Sequence, residues 1–162
     1  MKNILLAVVF VFIASAVFAT TTTEPVAGDI AAKIVAPLTV THATGAKLNF
    51  GTLVSPSSAA TVVISNANPG VATDTGVQRI AADPVSSDHF TVTNPEGVQY
   101  SVSIQESTVS IGTGTPMTVS AFNPSCSTSC TGTDIYVGGQ LDINANQPAG
   151  TYTGQYHLTI TY

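Results

Sequence analysis

In "GTYTGQYHLTITY", Tyr152, Gly154, Tyr156, Leu158, Ile160 and Tyr162 take every second position, with Thr153, Gln155, His157, Thr159 and Thr161 between them. Strand side chains alternate between two faces, so this spacing makes a half-buried β-strand, apolar inside and polar outside. The same period of two runs through "KIVAPLTVT", "KLNFGTLV", "ATVVIS", "VQRIAA", "HFTVTN", "QYSVSIQ", "MTVSAF" and "DIYVGGQLDIN". Between these runs lie separators such as "SPSSA", "NANPG", "ADPVSSD", "NPEG" and "NANQPA". Their Gly, Pro, Asn and Asp supply turn dihedrals. Nine short strands with such punctuation predict an all-β antiparallel sandwich or barrel. Tyr156, Leu158, Ile160 and Tyr162 are expected on a C-terminal edge strand. The Tyr162 ring is expected between two layers of sheet, because a strand end is frayed unless something holds it.

A second alternating run does not fit one sandwich strand. From Val26 the even positions read Val26, Gly28, Ile30, Ala32, Ile34, Ala36, Leu38 and Val40, all apolar or small. Unbroken, that register would extend roughly 50 Å at ~3.3 Å per residue, against ~17–20 Å for an ordinary strand. Either the run bends near Pro37, or its first half, Val26 to Ala32, projects from the domain. A projecting strand with an apolar face needs another sheet to cover it.

The chain opens with "MKNILLAVVFVFIASAVFA": a basic start at Lys2, an apolar stretch, and small residues Val17 and Ala19. This pattern predicts a secretory signal peptide over residues 1–19. Its apolar stretch is shorter than the ~20 residues of a spanning helix. Residues 20–32 then form an N-terminal extension and 33–162 a single domain. Sec-dependent export to the periplasm, cell surface or exterior follows. Past residue 19 the cations are Lys33, Lys47 and Arg79, against nine Asp and Glu. That balance excludes nucleic acid and anionic lipid as expected partners, since both require clustered cations. No later segment is long and apolar enough for a membrane-spanning helix.

Two cysteines stand in "PSCSTSCTG". In an oxidising compartment they are expected to form a Cys126–Cys130 disulfide, which requires the chain to turn back on itself. So small a loop gains little chain entropy, so the bridge is expected to stiffen a loop tip rather than support the fold. A two-cysteine metal site is the weaker reading, because no further Cys or His stands nearby to complete four ligands.

Other motifs carry no chemistry. "DINANQ" begins like a calcium loop, but Gln147 replaces the required Gly and no Glu closes the loop. "GTGTP" lacks the Gly-Lys-Ser/Thr ending of a phosphate loop. The glycines of "VGGQLDI" inside a strand predict a bulge or a close backbone approach. His42, His89 and His157 are scattered, and no nucleophile-elbow sequence accompanies them. No catalytic residue, cofactor or metal is expected, and the chain is not read as an enzyme.

Taken together, several segments resemble a bacterial family, the domain of unknown function 4402. "IVAPLTVTHATGAKLNFGTL" is similar to its opening, "HFTVTNPEGVQYSVSI" to its central block, "MTVSAF" to one of its strands, and "IYVGGQLDINANQPAGTYTGQYHLTITY" to its closing block. The match runs in order over nearly all of 32–162. Asn94 stands where the family pattern usually has Gly, and the cysteine pair lies outside its core pattern. The resemblance implies an exported immunoglobulin-like, pilin-like β-sandwich, similar in turn to spore coat protein U and to chaperone–usher pilus subunits. In those relatives a strand is missing from each domain, and a neighbour's N-terminal extension fills the gap by β-strand addition.

Three functions follow as expectations. The leading one is a structural subunit of a surface fibre or coat. In it, Val26, Gly28, Ile30 and Ala32 act as a donor strand that enters an identical or related subunit beside the C-terminal strand. Such an edge would need a periplasmic chaperone before assembly. The second is a self-contained secreted or surface binding module, in which the N-terminal run folds onto its own domain. The third is a small outer-membrane β-barrel, weakened by the absence of Trp and by short strands.

Overall fold

A computed structural model describes residues 24–162 except 81, 107 and 113. The expected signal peptide over residues 1–19 lies outside the described residues. The chain divides into two units, one ending at Lys33 and one comprising Ile34–Tyr162. In the first, residues 24–33 belong to no helix or strand and are exposed throughout, with Val26 94% and Ile30 98% accessible.

The second unit is built of β1 (Thr39–His42), β2 (Ala60–Ile64), β3 (Ala72–Thr75), β4 (Asp88–Thr93), β5 (Ser101–Ile104), β6 (Thr108–Ile111), β7 (Met117–Pro124), β8 (Asp134–Ile143) and β9 (Leu158–Thr161). All pairings are antiparallel. The fold is an all-β sandwich, and among the described residues there is no helix. Of the alternating apolar positions from Val26 to Val40, only Val40 lies in a strand: β1 begins two residues beyond Pro37, and Ile34 before it is 96% exposed.

β8 organises the large sheet. One of its edges carries β7, with β6 beyond. Its other edge is shared: Gly139–Ile143 pairs with β2 and Asp134–Val137 pairs with β4. β3 and β1 then complete the two flanks. The alternation in "DIYVGGQLDI" explains this role, since Ile135, Val137, Leu141 and Ile143 are all buried on one face. Gly138 is needed for close approach: a Cβ there would stand 2.3 Å from the Ile64 carbonyl oxygen. Opposite it, the register of β7 shifts between Ser120 and Asn123, with Ala121 at φ 48°. Bulge and close approach thus occur together at the paired glycines.

β5 and β9 form a separate small sheet. It packs over β4 and β8 around Val92, Tyr100, Val102, Cys130, Ile135 and Val137. A second cluster contains Phe50, Val62, Ile64, Met117, Val119 and Leu141. The two sheets face one another across the first cluster instead of closing into a barrel.

Nine strands are expected and nine occur among the described residues, but they are not the same nine. "KLNFGTLV" and "VQRIAA" form no strand, only the isolated bridges Asn49–Ser86 and Leu53–Arg79. β3 and β6 arise where the sequence pattern predicts none. The β3 segment is a case in point: "ATDT" is polar and mostly exposed, and pairing with β2 alone makes it a strand.

Candidate binding groove

The second cluster is not closed over. A groove of about 840 Å³ opens onto it, floored by Met117 and Val119 of β7, Leu141 and Ile143 of β8, and Phe122. Two irregular segments form its rims, residues 47–56 and 147–157. Neither contains a strand.

The first rim is held from outside. Asn49 N donates to Ser86 O at 2.9 Å and Ser86 N to Asn49 O at 3.1 Å. Further along, Val54 N donates to Gln78 O and Ile80 N to Thr52 O. Arg79 donates to the Phe50 carbonyl oxygen and pairs with Asp74. Residues 78–86 do not line the groove, so all these bonds lead away from it. The second rim is held likewise: Gly112 N donates to Thr153 O at 3.2 Å and Gln105 N to His157 O at 3.0 Å. Gly154 lets this rim lie close on β6, where a Cβ would meet the Ile111 side chain at 2.7 Å.

The two ends differ. At one, the rims meet directly: Asn146 N donates to Pro56 O and Ser55 Oγ to Gln147 O, each at 2.7 Å. At the other lies Asp88, only 5% exposed. Its Oδ1 accepts from His42 Nε2 at 2.7 Å and from its neighbour His89 N at 2.8 Å; its Oδ2 accepts from the Tyr156 hydroxyl at 2.8 Å. Rings surround it: His42 lies 4.9 Å from Phe90, Phe90 is edge-on to Tyr156 at 6.2 Å, and Phe122 lies 4.9 Å from Tyr156. Burial and the adjacent carboxylate push the Tyr156 hydroxyl far above the ordinary phenol range, so it serves as a neutral donor.

The expected site residues are distributed as follows. Cys126 and Cys130 are bridged, with an S–S distance of 2.00 Å and Cα atoms 5.9 Å apart. The expectation of a mere loop tip is corrected. Cys130 is 2% exposed within the first cluster, and it exchanges two backbone hydrogen bonds with Tyr100. Val102 N also donates to Ser127 O. The bridged loop therefore lines the outer edge of β5 as a surrogate strand. Leu158 and Ile160 lie in β9 and pack on the first cluster, as does Tyr156 just before the strand. Tyr162 is corrected as well: it lies beyond β9 and is 66% exposed, because the β5 ladder ends at Thr161. Val26, Gly28, Ile30 and Ala32 lie in the exposed N-terminal unit.

Sequence reasoning misses Asp88, Phe90 and Phe122. In the sequence Asp88 is no more than the neighbour of His89, yet it meets His42 and Tyr156 across 46 and 68 residues. The one local signal is a carboxylate at the inward-facing start of a strand. All three histidines are paired with carboxylates: His42 with Asp88, His89 with Asp134, and His157 with Glu106. The pairing holds the Asp134 and Glu106 carboxyls below their ordinary range, chiefly through the hydrogen bond each accepts from its histidine.

No helix among the described residues is long and apolar enough to cross a membrane. No curated protein and no solved structure matches the chain. The profile of one family, described as a domain of unknown function (DUF4402), matches residues 38–162, from the residue before β1 through β9. The closing "VGGQLDI" and "AGTYTGQY" segments, which build β8 and the second rim, fall within that match, and the chain belongs to the DUF4402 family.

Proposed function

We propose that this protein is an exported, non-enzymatic structural subunit of a surface fibre or coat that assembles by β-strand addition. The observation that carries the reading is the groove between two unladdered rims, in a chain that also bears an exposed, alternating apolar run. The rims, residues 47–56 and 147–157, comprise ten and eleven residues, and the run from Val26 to Ala32 seven. Extended, that run spans about 20 Å and fits along either rim. A strand from a second copy would place Val26, Gly28, Ile30 and Ala32 on the apolar floor. Its backbone would pair with rims whose backbone bonds to residues 78–86, Gln105 and Gly112 lead away from the groove, so main-chain bonds supply affinity and alternate side chains supply fit. The contact is head to tail and does not close, so it extends as a filament. A periplasmic chaperone would cover the open groove before assembly.

Deletion of residues 20–32 tests this. The shortened chain is expected to stay folded by circular dichroism and to run as a monomer, while the processed full chain sediments as a series of oligomers. Identical assemblies after the deletion would sink the reading. A full chain that remains monomeric at every concentration supports the self-contained binding module instead.

A further inference from the structure

We propose that strand insertion is linked to proton uptake at His42: the donor run of a second copy seats more tightly when His42 is cationic and offsets the charge of Asp88. The inference rests on the strand-addition reading and names a control on that same groove.

Asp88 is buried, yet two of its partners, the Tyr156 hydroxyl and the His89 backbone N–H, are neutral donors. The third, His42, can carry a charge, and its side chain is 49% exposed where it lines the open groove. Other charged groups face the site less directly. Lys47 lines the same groove on the first rim. His157 lines it on the second, but its ring is engaged by Glu106. The His89 ring is turned to Asp134 and stacks on Tyr136 at 4.6 Å.

His42 and Asp88 both line the open groove, where solvent water screens charge. An apolar strand laid over the floor expels that water. A carboxylate covered without a counter-charge is strongly disfavoured, whereas a hydrogen-bonded ion pair is tolerated. Covering the groove therefore raises the proton affinity of the imidazole beside the carboxylate. By linkage, a group whose proton affinity rises on binding strengthens binding below its free-state value, and that gain is lost as pH rises through its bound-state value. Histidine is the side chain whose charge changes around neutral pH, so assembly is compared between about pH 6 and about pH 8.

The test is sedimentation velocity of the processed full chain across that window at constant ionic strength. The subunit association constant is expected to rise roughly tenfold from the alkaline to the acid end, the factor for a one-unit gain in proton affinity. His42→Gln should assemble at the weak alkaline level at both ends. Asp88→Asn, which removes the charge to be offset, should assemble at the strong acid level at both ends. Lys47→Gln and His157→Gln should keep the wild-type slope. Circular dichroism melts confirm that each variant is folded, and His42→Gln decides the matter alone should Asp88→Asn not fold. Assembly with no pH slope, or a slope that survives His42→Gln, overturns the inference and leaves strand addition standing. Absence of assembly at both ends overturns both.

Discussion

The two halves of the sandwich bury comparable apolar floors and are closed in different ways. Over Val92, Ile135 and Val137, a paired β5–β9 ladder lies on the large sheet, and the disulfide loop covers the outer edge of β5. Over Met117, Val119 and Leu141, the covering chain runs as two separate rims with a groove between them. The sequence of the second rim, "TYTGQY", alternates as cleanly as that of β9. Alternation directs side chains inward; it does not supply a hydrogen-bonding neighbour. Where β5 is present the alternating chain becomes a strand, and where no neighbour stands it remains a rim.

The largest expected effect separates the halves by truncation. Ile135→Ala, in the closed half at 1% exposure, is expected to lose roughly 4 kcal/mol of unfolding free energy. Met117→Ala, on the groove floor at 7% exposure, is expected to lose roughly 2 kcal/mol, because its surroundings can relax into open space. Urea titration of both variants measures the difference, and equal losses would erase the distinction between a closed and an open core.

Next comes the edge cap. Replacing Cys126 and Cys130 together by Ser should cost about 2 kcal/mol, chiefly from placing a hydroxyl at the buried Cys130 site, since so short a loop adds little closure entropy. It should also free the outer edge of β5 for unwanted pairing. Light scattering of the double variant should therefore rise without any change at the groove; a clear solution would show that the loop does not guard that edge.

Arg79→Ala probes the open half at a smaller scale. It removes the bond to the Phe50 carbonyl oxygen and the pair with Asp74, an expected loss of about 1–2 kcal/mol. The first rim should loosen, which hydrogen exchange at residues 49–54 would report. Unchanged protection there would mean that the Asn49–Ser86 bridge holds the rim without help.

The smallest effect is electrostatic. Glu106 ties the second rim through His157, and Asp134 ties β4 to β8 through His89. Both carboxyls are held low in the fold. Their contribution is present above the ordinary carboxylate range near pH ~4 and is lost as pH falls through the lowered folded values. Being exposed, they should produce only a slight fall in melting temperature on acidification. Glu106→Gln and Asp134→Asn should each flatten it, and an acid limb unchanged in either variant would remove that pair from the account.

Much of the fold was legible because its signals are local. "ATVVI", "HFTVT", "SVSI" and "DIYVGGQLDI" alternate over whole strands, and each became one. The glycine pair in β8 announced its bulge and close approach. "KLNFGTLV" misled because its inward residues, Leu48, Phe50 and Leu53, do pack on the core, while positive φ at Gly51 interrupts its pairing with residues 78–86 and leaves two isolated bridges. "ATDT" misled in the opposite direction, as a polar segment made into a strand by β2. The excess length of the alternating Val26–Val40 run was visible in the sequence, but the groove and the Asp88 cluster were not.

The order of residues alone determined that the chain builds β-layers, which side chains turn inward, where turns interrupt them, and that Cys126 finds Cys130 four residues away. Each is an effect of neighbours along the chain: alternation, turn dihedrals and a short loop. Only the tertiary structure decided which alternating segments gained a partner, that the disulfide loop would cover β5, and that Asp88, His42 and Tyr156 would meet at the end of an open groove. Backbone pairing and burial depend on residues far apart in sequence, and no local pattern encodes whether a neighbouring strand will be there to complete the sheet.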